Sequence, residues 1–185
     1  MTTHQRGKIK LLDYWGFIGI HFVPLLAIFT GTFAFDWYLA LALYLIRMFF
    51  ITAGYHRYFS HRTFKTSRVF QFILAYMAQT SMHKGALWWA ANHRIHHKYS
   101  DTPADPHSAK LFGFWYAHVG WIVGPDFKET RYDLIKDMAK YPELVWLNKY
   151  HWVPAASLMV FCLFLGNYVN GEGILDFQAG VSTLL

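Results

Sequence analysis

WYLALALYLIRMFFITAGYHRYFSH, from Trp37 to His61, is an apolar run that ends in two histidines. Between Trp37 and Tyr55 its one charged residue is Arg47. About 20 apolar residues in a helix rise far enough to cross a hydrocarbon layer of about 30 Å. The stretch before it, from Tyr14 to Ala34, has the same character. The two are separated by TGTFAFDW (Thr30 to Trp37), where glycine, threonine and Asp36 mark a short turn. We read spans at residues 14–34 and 37–55, a transmembrane hairpin, and a third at 152–169 from WVPAASLMVFCLFLGNYV. Helices buried in a soluble bundle would carry an amphipathic stripe, which the hairpin lacks. A signal peptide fits poorly, because the first apolar stretch is too long and no small-residue cleavage pattern follows it.

The other features agree with one membrane domain over residues 1–185. The chain is 55% hydrophobic and 20% aromatic, well above ordinary soluble usage. Basic residues cluster in the N-terminal arm (Arg6, Lys8, Lys10) and between His56 and His151, while the turn near Asp36 has none. The positive-inside rule then places the N-terminus and the region 56–151 on the cytoplasmic side, in a multi-pass topology. The net charge of +6 reflects this arrangement, with attraction to anionic lipid as a by-product. No nucleic-acid motif accompanies it, so nucleic acid is excluded as a partner. Cys162 is the only cysteine, which excludes disulfides and thiolate metal sites within the chain.

The middle region reads as a layer of interfacial helices. Ser67 is a candidate cap for a helix that starts at Arg68 and is too short to cross a membrane before Ser81. DFKETRYDLIKDMAKYPELVWLNKY (Asp126 to Tyr150) sets charges on one side and Leu134, Ile135, Met138 and Leu144 on the other, as a surface-lying segment does.

Nine of the 11 histidines fall between His56 and His151, so imidazole is concentrated on one side of the membrane. On an α-helix His93, His96 and His97 share an arc of roughly 100°, so all three can point at one place. His56 and His61 would stand about 140° apart, which suits two metal ions better than one unless the helix breaks between them. Imidazoles without thiolates suit iron, zinc or copper and rule out iron–sulfur clusters. No Glu-x-x-His pair of the soluble carboxylate di-iron bundles is present. A histidine-rich metal centre in an all-α membrane protein is the reading that remains.

Three stretches also carry a resemblance: TAGYHRYFSHRTF (Thr52 to Phe64), HRIHHKYSDTPADPHS (His93 to Ser108) and HVGWI (His118 to Ile122). In order, spacing and flanking residues they resemble the integral-membrane fatty acid desaturases, specifically the acyl-CoA Δ9 (stearoyl-CoA desaturase-like) family. The resemblance implies a four-span fold with a cytoplasmic cap and two iron ions held by three histidine boxes. It implies removal of two hydrogens from a saturated acyl chain, with O2 reduced to water by two electrons from an external electron-transfer protein. It makes His56, His61, His93, His96 and His97 iron ligands, sets Trp89 near the substrate, and gives His107 and His118 structural or outer roles. Asp101 and Asp105 are candidates to accept the free ring N–H groups of the ligating histidines.

Two departures matter. Where animal members carry basic residues after HVGW, this chain reads IVGPDFK, with Asp126. The acyl carrier is therefore open among coenzyme A, lipid and acyl-carrier protein. The third histidine box is also absent, and ILDFQAGVSTLL (Ile174 to Leu185) reads as an unfinished fourth span. Two irons need about eight donors when other ligands are few, and five histidines fall short. The expectation is the N-terminal part of a desaturase, inactive as it stands. The rival readings are a histidine-box hydroxylase or alkane monooxygenase, and a non-catalytic membrane protein.

Overall fold

A computed structural model describes residues 10, 14–172 and 176–185. Arg6 and Lys8 of the basic arm, and Ile174 and Leu175 of the last apolar run, lie outside the described residues. Every regular element among the described residues is helical.

The first apolar stretch is broken into α1 (Trp15–Phe22), a 3-10 turn (Val23–Leu26) and α2 (Ala27–Thr30). Pro24 cannot donate to an α-helical ladder, and Gly31, at φ 73°, ends the segment. The second stretch is α3 (Ala34–Phe50), which runs without a break into a π-helical segment, Ile51–Ser60. It begins three residues before the expected Trp37, because Asp36 accepts the Phe33 N–H at 2.8 Å and closes the first turn from within.

Among the described residues two helices are long and apolar enough to cross a membrane: Ala34–Ser60, and α10 (Val153–Asn170), which matches the expected third span to within a residue at each end. The apolar window of the first has no buried residue and that of the second only 22%, whereas a soluble core helix would be mostly covered. Trp37, Tyr38, Leu41, Leu45 and Phe49 project outward from α3. Such a surface suits hydrocarbon and would be a liability in water.

α11 (Phe177–Leu184) packs back on α10 at close range. A Cβ at Gly180 would lie 2.7 Å from the Leu163 carbonyl, so the helices meet through a small residue. At the far end Asp36 accepts from Ser182 and Thr183, both at 2.6 Å, and from Asn170 at 3.0 Å. These bonds tie α11 and the end of α10 to the start of α3 and satisfy a carboxylate set among apolar helices.

The remaining elements form one layer around a core of Tyr55, Phe59, Leu74, Leu87, Ile135, Leu144 and Leu147. α4 (Arg68–Gln79) is capped as expected, the Ser67 hydroxyl accepting the Phe70 N–H at 3.2 Å. α5 (Ala86–Tyr99) is capped differently, because its N-cap, Gly85, has no side chain. Gln79 accepts the Ala86 N–H at 3.0 Å, and Asn148 accepts the Trp88 N–H at 2.8 Å. Two donors left open at a helix start are thus satisfied from α4 and α9 (Pro142–Lys149). The amphipathic segment expected at 126–150 is split into a 3-10 turn at Tyr132–Leu134, α8 (Lys136–Ala139) and α9. Between α5 and α8 lie two further short helices, α6 (Ala109–Phe112) and α7 (Trp121–Val123). Ile135, Met138 and Leu144 are buried as predicted, whereas Leu134 stays exposed at the end of its turn.

Candidate metal centre

His56 and His61 meet because the chain between them is not α-helical. The His61 N–H donates to the His56 carbonyl at 3.1 Å, an i to i+5 bond. The Ser60 hydroxyl spans the same interval to the Tyr55 carbonyl at 2.7 Å. The wider π turn carries His61 round toward the face of His56, and their ring centroids are 4.5 Å apart. The π winding thus removes the α-helical geometry on which assigning this pair to two separate ions depends.

α5 brings the second pair. His93 and His97, one turn apart, face the π-helix, with their Nε2 atoms 3.0 Å from each other. The His56 and His93 rings are 4.8 Å apart and the His61 and His97 rings 4.5 Å. One ring nitrogen from each of His56, His61, His93 and His97 lies within 4.8 Å of the others. Two nitrogens bound at right angles to one ion at about 2.1 Å would stand roughly 3 Å apart, so the closest pair has the spacing of neighbouring ligands. The group suits a borderline divalent metal held by imidazole alone.

His96 does not join this group, although the helical arc allowed it. It lies about 60° to one side of His93 while His97 lies about 40° to the other, and the two turn to different neighbours. Its Nδ1 is 2.9 Å from Asp105 Oδ1. A carboxylate only accepts, so Nδ1 carries the proton, and in the neutral ring Nε2 is then the nitrogen with the free lone pair. The His107 ring stacks on His96 at 4.2 Å, and His96, Asp105 and His107 form a second cluster with metal-ligand spacing. Asp105 is fully buried and also accepts the backbone N–H groups of Asp101 (2.9 Å) and His107 (3.0 Å). Burial by itself would raise its carboxyl, but the hydrogen bonds from His96, His107 and Asp101 outweigh that and hold it below the usual range. Asp101 is set farther out, its carboxylate accepting from Ser108 at 2.7 Å rather than from an imidazole.

Electrostatics favour the neutral form of His93 and His61. Burial, followed by repulsion from His97, His56, His61 and His96, pushes His93 down to about 3. Burial and then His56 and His97 lower His61 in the same way. Unprotonated imidazoles are the form that binds metal.

Trp89 stacks on His93 at 4.4 Å and meets His56 edge-on at 6.5 Å, so it forms a wall of the first group. His118 belongs to neither group. It stacks on Phe114 and lines, with Tyr14, Phe17 and His21, a cavity of about 570 Å³ elsewhere. Arg94 beside the site has no ligand chemistry, and its only signal in the sequence is its place between His93 and His96.

The sequence model of a family described as "Fatty acid desaturase" matches residues 32–173, which takes in α3, both histidine groups and α10. The chain belongs to the fatty acid desaturase family. Among relatives, it is 38% identical over 143 residues to a probable acyl-CoA desaturase of Schizosaccharomyces pombe, covering 73% of this chain and 29% of that protein. It is 31% identical over 172 residues to the sn-1 stearoyl-lipid 9-desaturase of Anabaena variabilis, covering 91% of this chain and 62% of the relative. Against stearoyl-CoA desaturase 2 of Rattus norvegicus it is 35% identical over 158 residues, covering 84% and 42%. This desaturase-family chain thus spans less than two thirds of the length of each of these relatives.

Proposed function

We propose that the protein takes part in fatty acyl desaturation: a saturated chain, O2, two electrons and two protons give a cis double bond, probed first at the Δ9 position, and two waters. The observation that carries this is the four-imidazole group at the end of a long apolar helix, within the region matched by the family. In this reading His56, His61, His93 and His97 hold one iron ion, and His96, steadied by Asp105 and His107, contributes to a second. Bound iron supplies the activation of O2 that an unactivated methylene requires. The chain's own residues favour the neutral form of His93 and His61, fix the His96 tautomer through Asp105, and wall the site with the Trp89 ring, against which the acyl chain would lie. The substrate is an acyl-CoA or an acyl-lipid, and an external electron-transfer protein supplies the electrons. Trp15–Thr30, within the span expected at 14–34, crosses as well as Ala34–Ser60 and Val153–Asn170, and the N-terminus and histidine layer face the cytoplasm. The second group is short of donors, so the 185 residues alone do not turn over.

The test compares this chain with a chimera that joins it to the C-terminal part of the Anabaena relative, both in membranes supplied with stearoyl substrates, O2 and a reductant. Gas chromatography of the acyl chains should show a new monounsaturated species from the chimera alone. Hydroxylated chains would replace desaturation with hydroxylation, and a double bond made by the 185 residues would overturn their inactivity.

A further inference from the structure

The π-helix ends at Ser60 with carbonyls that no further turn can satisfy. One side chain from the facing helix takes two of them. Arg94 Nη2 donates to the Phe59 carbonyl at 2.6 Å, and Arg94 Nε to the Ser60 carbonyl at 3.2 Å. The same guanidinium donates from Nη1 to the Leu134 carbonyl at 3.0 Å, and it bonds both oxygens of Asp137, at 2.8 and 3.0 Å. The arginine side chain is only 15% exposed and Asp137 28%, so the fork is held largely out of water.

A second observation leads to the same carboxylate. Arg62, directly after His61, sits at φ 55°, a left-handed conformation uncommon outside glycine. Its Nε lies 2.8 Å from Asp137 Oδ2. Strained residues persist where the surroundings over-determine them, and here an ion pair holds the strained residue next to His61. Asp137 therefore receives one arginine from each histidine-bearing element: Arg62 from the chain leaving the π-helix and Arg94 from α5. The partners lie one residue beyond His61 and one beyond His93.

We infer that Arg94, with Asp137 and Arg62, is a positioning device that sets the distance between the His56–His61 pair and the His93–His97 pair. This rests on the metal-centre reading above. The two pairs belong to different helices, and a four-imidazole site has high affinity only if their gap is fixed before metal arrives. Guanidinium suits the task because its planar fork reaches three carbonyls and a carboxylate at once, whereas the single ammonium of lysine cannot. The inference concerns affinity and geometry rather than any contact with metal or substrate.

The test measures Co²⁺ binding to the 185-residue chain in detergent, by titration and by the visible absorption band of the bound ion. Thermal unfolding without metal is recorded in parallel. The variants are Arg94→Lys and Asp137→Asn, with Arg68→Gln as control. Arg68 makes a comparable bidentate pair with Glu143, at 2.6 and 2.7 Å, that touches no histidine. Arg94→Lys should weaken Co²⁺ binding about 10–100-fold, the range for outer partners of metal ligands, and alter the band. Asp137→Asn should do so to a smaller degree, and Arg68→Gln should leave both readouts unchanged. If Arg94→Lys and Asp137→Asn lower the unfolding temperature but keep wild-type affinity and band, the residues are merely structural and the inference falls. If the wild-type chain binds no Co²⁺, the metal-centre reading fails and takes the inference with it.

Discussion

His93→Ala is expected to empty the four-imidazole group, while His96→Ala leaves that group loaded. His93 stands at the centre of the cluster, its ring 4.4 Å from Trp89, 4.5 Å from His97, 4.8 Å from His56 and 5.3 Å from His61. Alanine removes a donor and opens a gap that the stacked Trp89 does not fill with a ligand atom. The loss of affinity should exceed the roughly 10–100-fold typical of an outer partner, because a bond to the metal itself is deleted. His96, turned to Asp105, contributes to the other group. Iron or cobalt per chain, measured after desalting, decides the matter for both variants and for His118→Ala, which should bind like the wild type. Equal losses from all three would mean that the imidazoles act together through stability rather than as two sets of ligands.

The largest effect on stability is expected from Gly85→Val. A Cβ at Gly85 would lie 2.1 Å from Asn148 Oδ1 and 2.9 Å from its Cα, so moving the side chain alone cannot make room. The backbone of α9 must retreat, and with it the amide that accepts the Trp88 N–H and donates to Thr130 and Tyr132. Overpacking costs about 1–3 kcal/mol. A buried donor left without its partner costs about 1–3 kcal/mol more. Together these are a large share of the roughly 5–15 kcal/mol that holds a typical domain folded. Thermal unfolding in detergent should show a clear drop for Gly85→Val and almost none for Gly19→Ala, where an added Cβ meets nothing within 4 Å. A midpoint unchanged by Gly85→Val would show that α9 yields freely and that the side-chain caps of α5 contribute little.

Local chemistry was readable where neighbours in sequence decide the outcome. Ser67 announces α4 because an N-cap needs only its own hydroxyl and an amide three residues on. Pro24 and Gly31 are visible as breakers, yet the apolar character of residues 14–34 runs through Pro24 and by itself predicts one span. The caps of α5 were not legible. Its donors are satisfied by Gln79 and by Asn148, the latter 60 residues from Trp88, and no local pattern links them.

The sequence by itself determined the apolar runs, the concentration of imidazole on one side of them and the residue types of the site, because composition and spacing follow from the chain alone. The resemblance carried by the three histidine-containing stretches then implies the family and the candidate ligands His56, His61, His93, His96 and His97. Only the tertiary structure decided how the five imidazoles are grouped. The five-residue interval between His56 and His61 is wrong for one ion on an α-helix and right on a π-helix, and a π turn depends on packing, here on Gly54 against the Leu74 carbonyl and Arg94 on the last carbonyls. Likewise, an arc of about 100° permits His93, His96 and His97 to converge or to divide. Asp105, buried nine residues beyond His96, draws that ring away from the other two, and a contact made by a returning loop is a property of the fold rather than of the spacing.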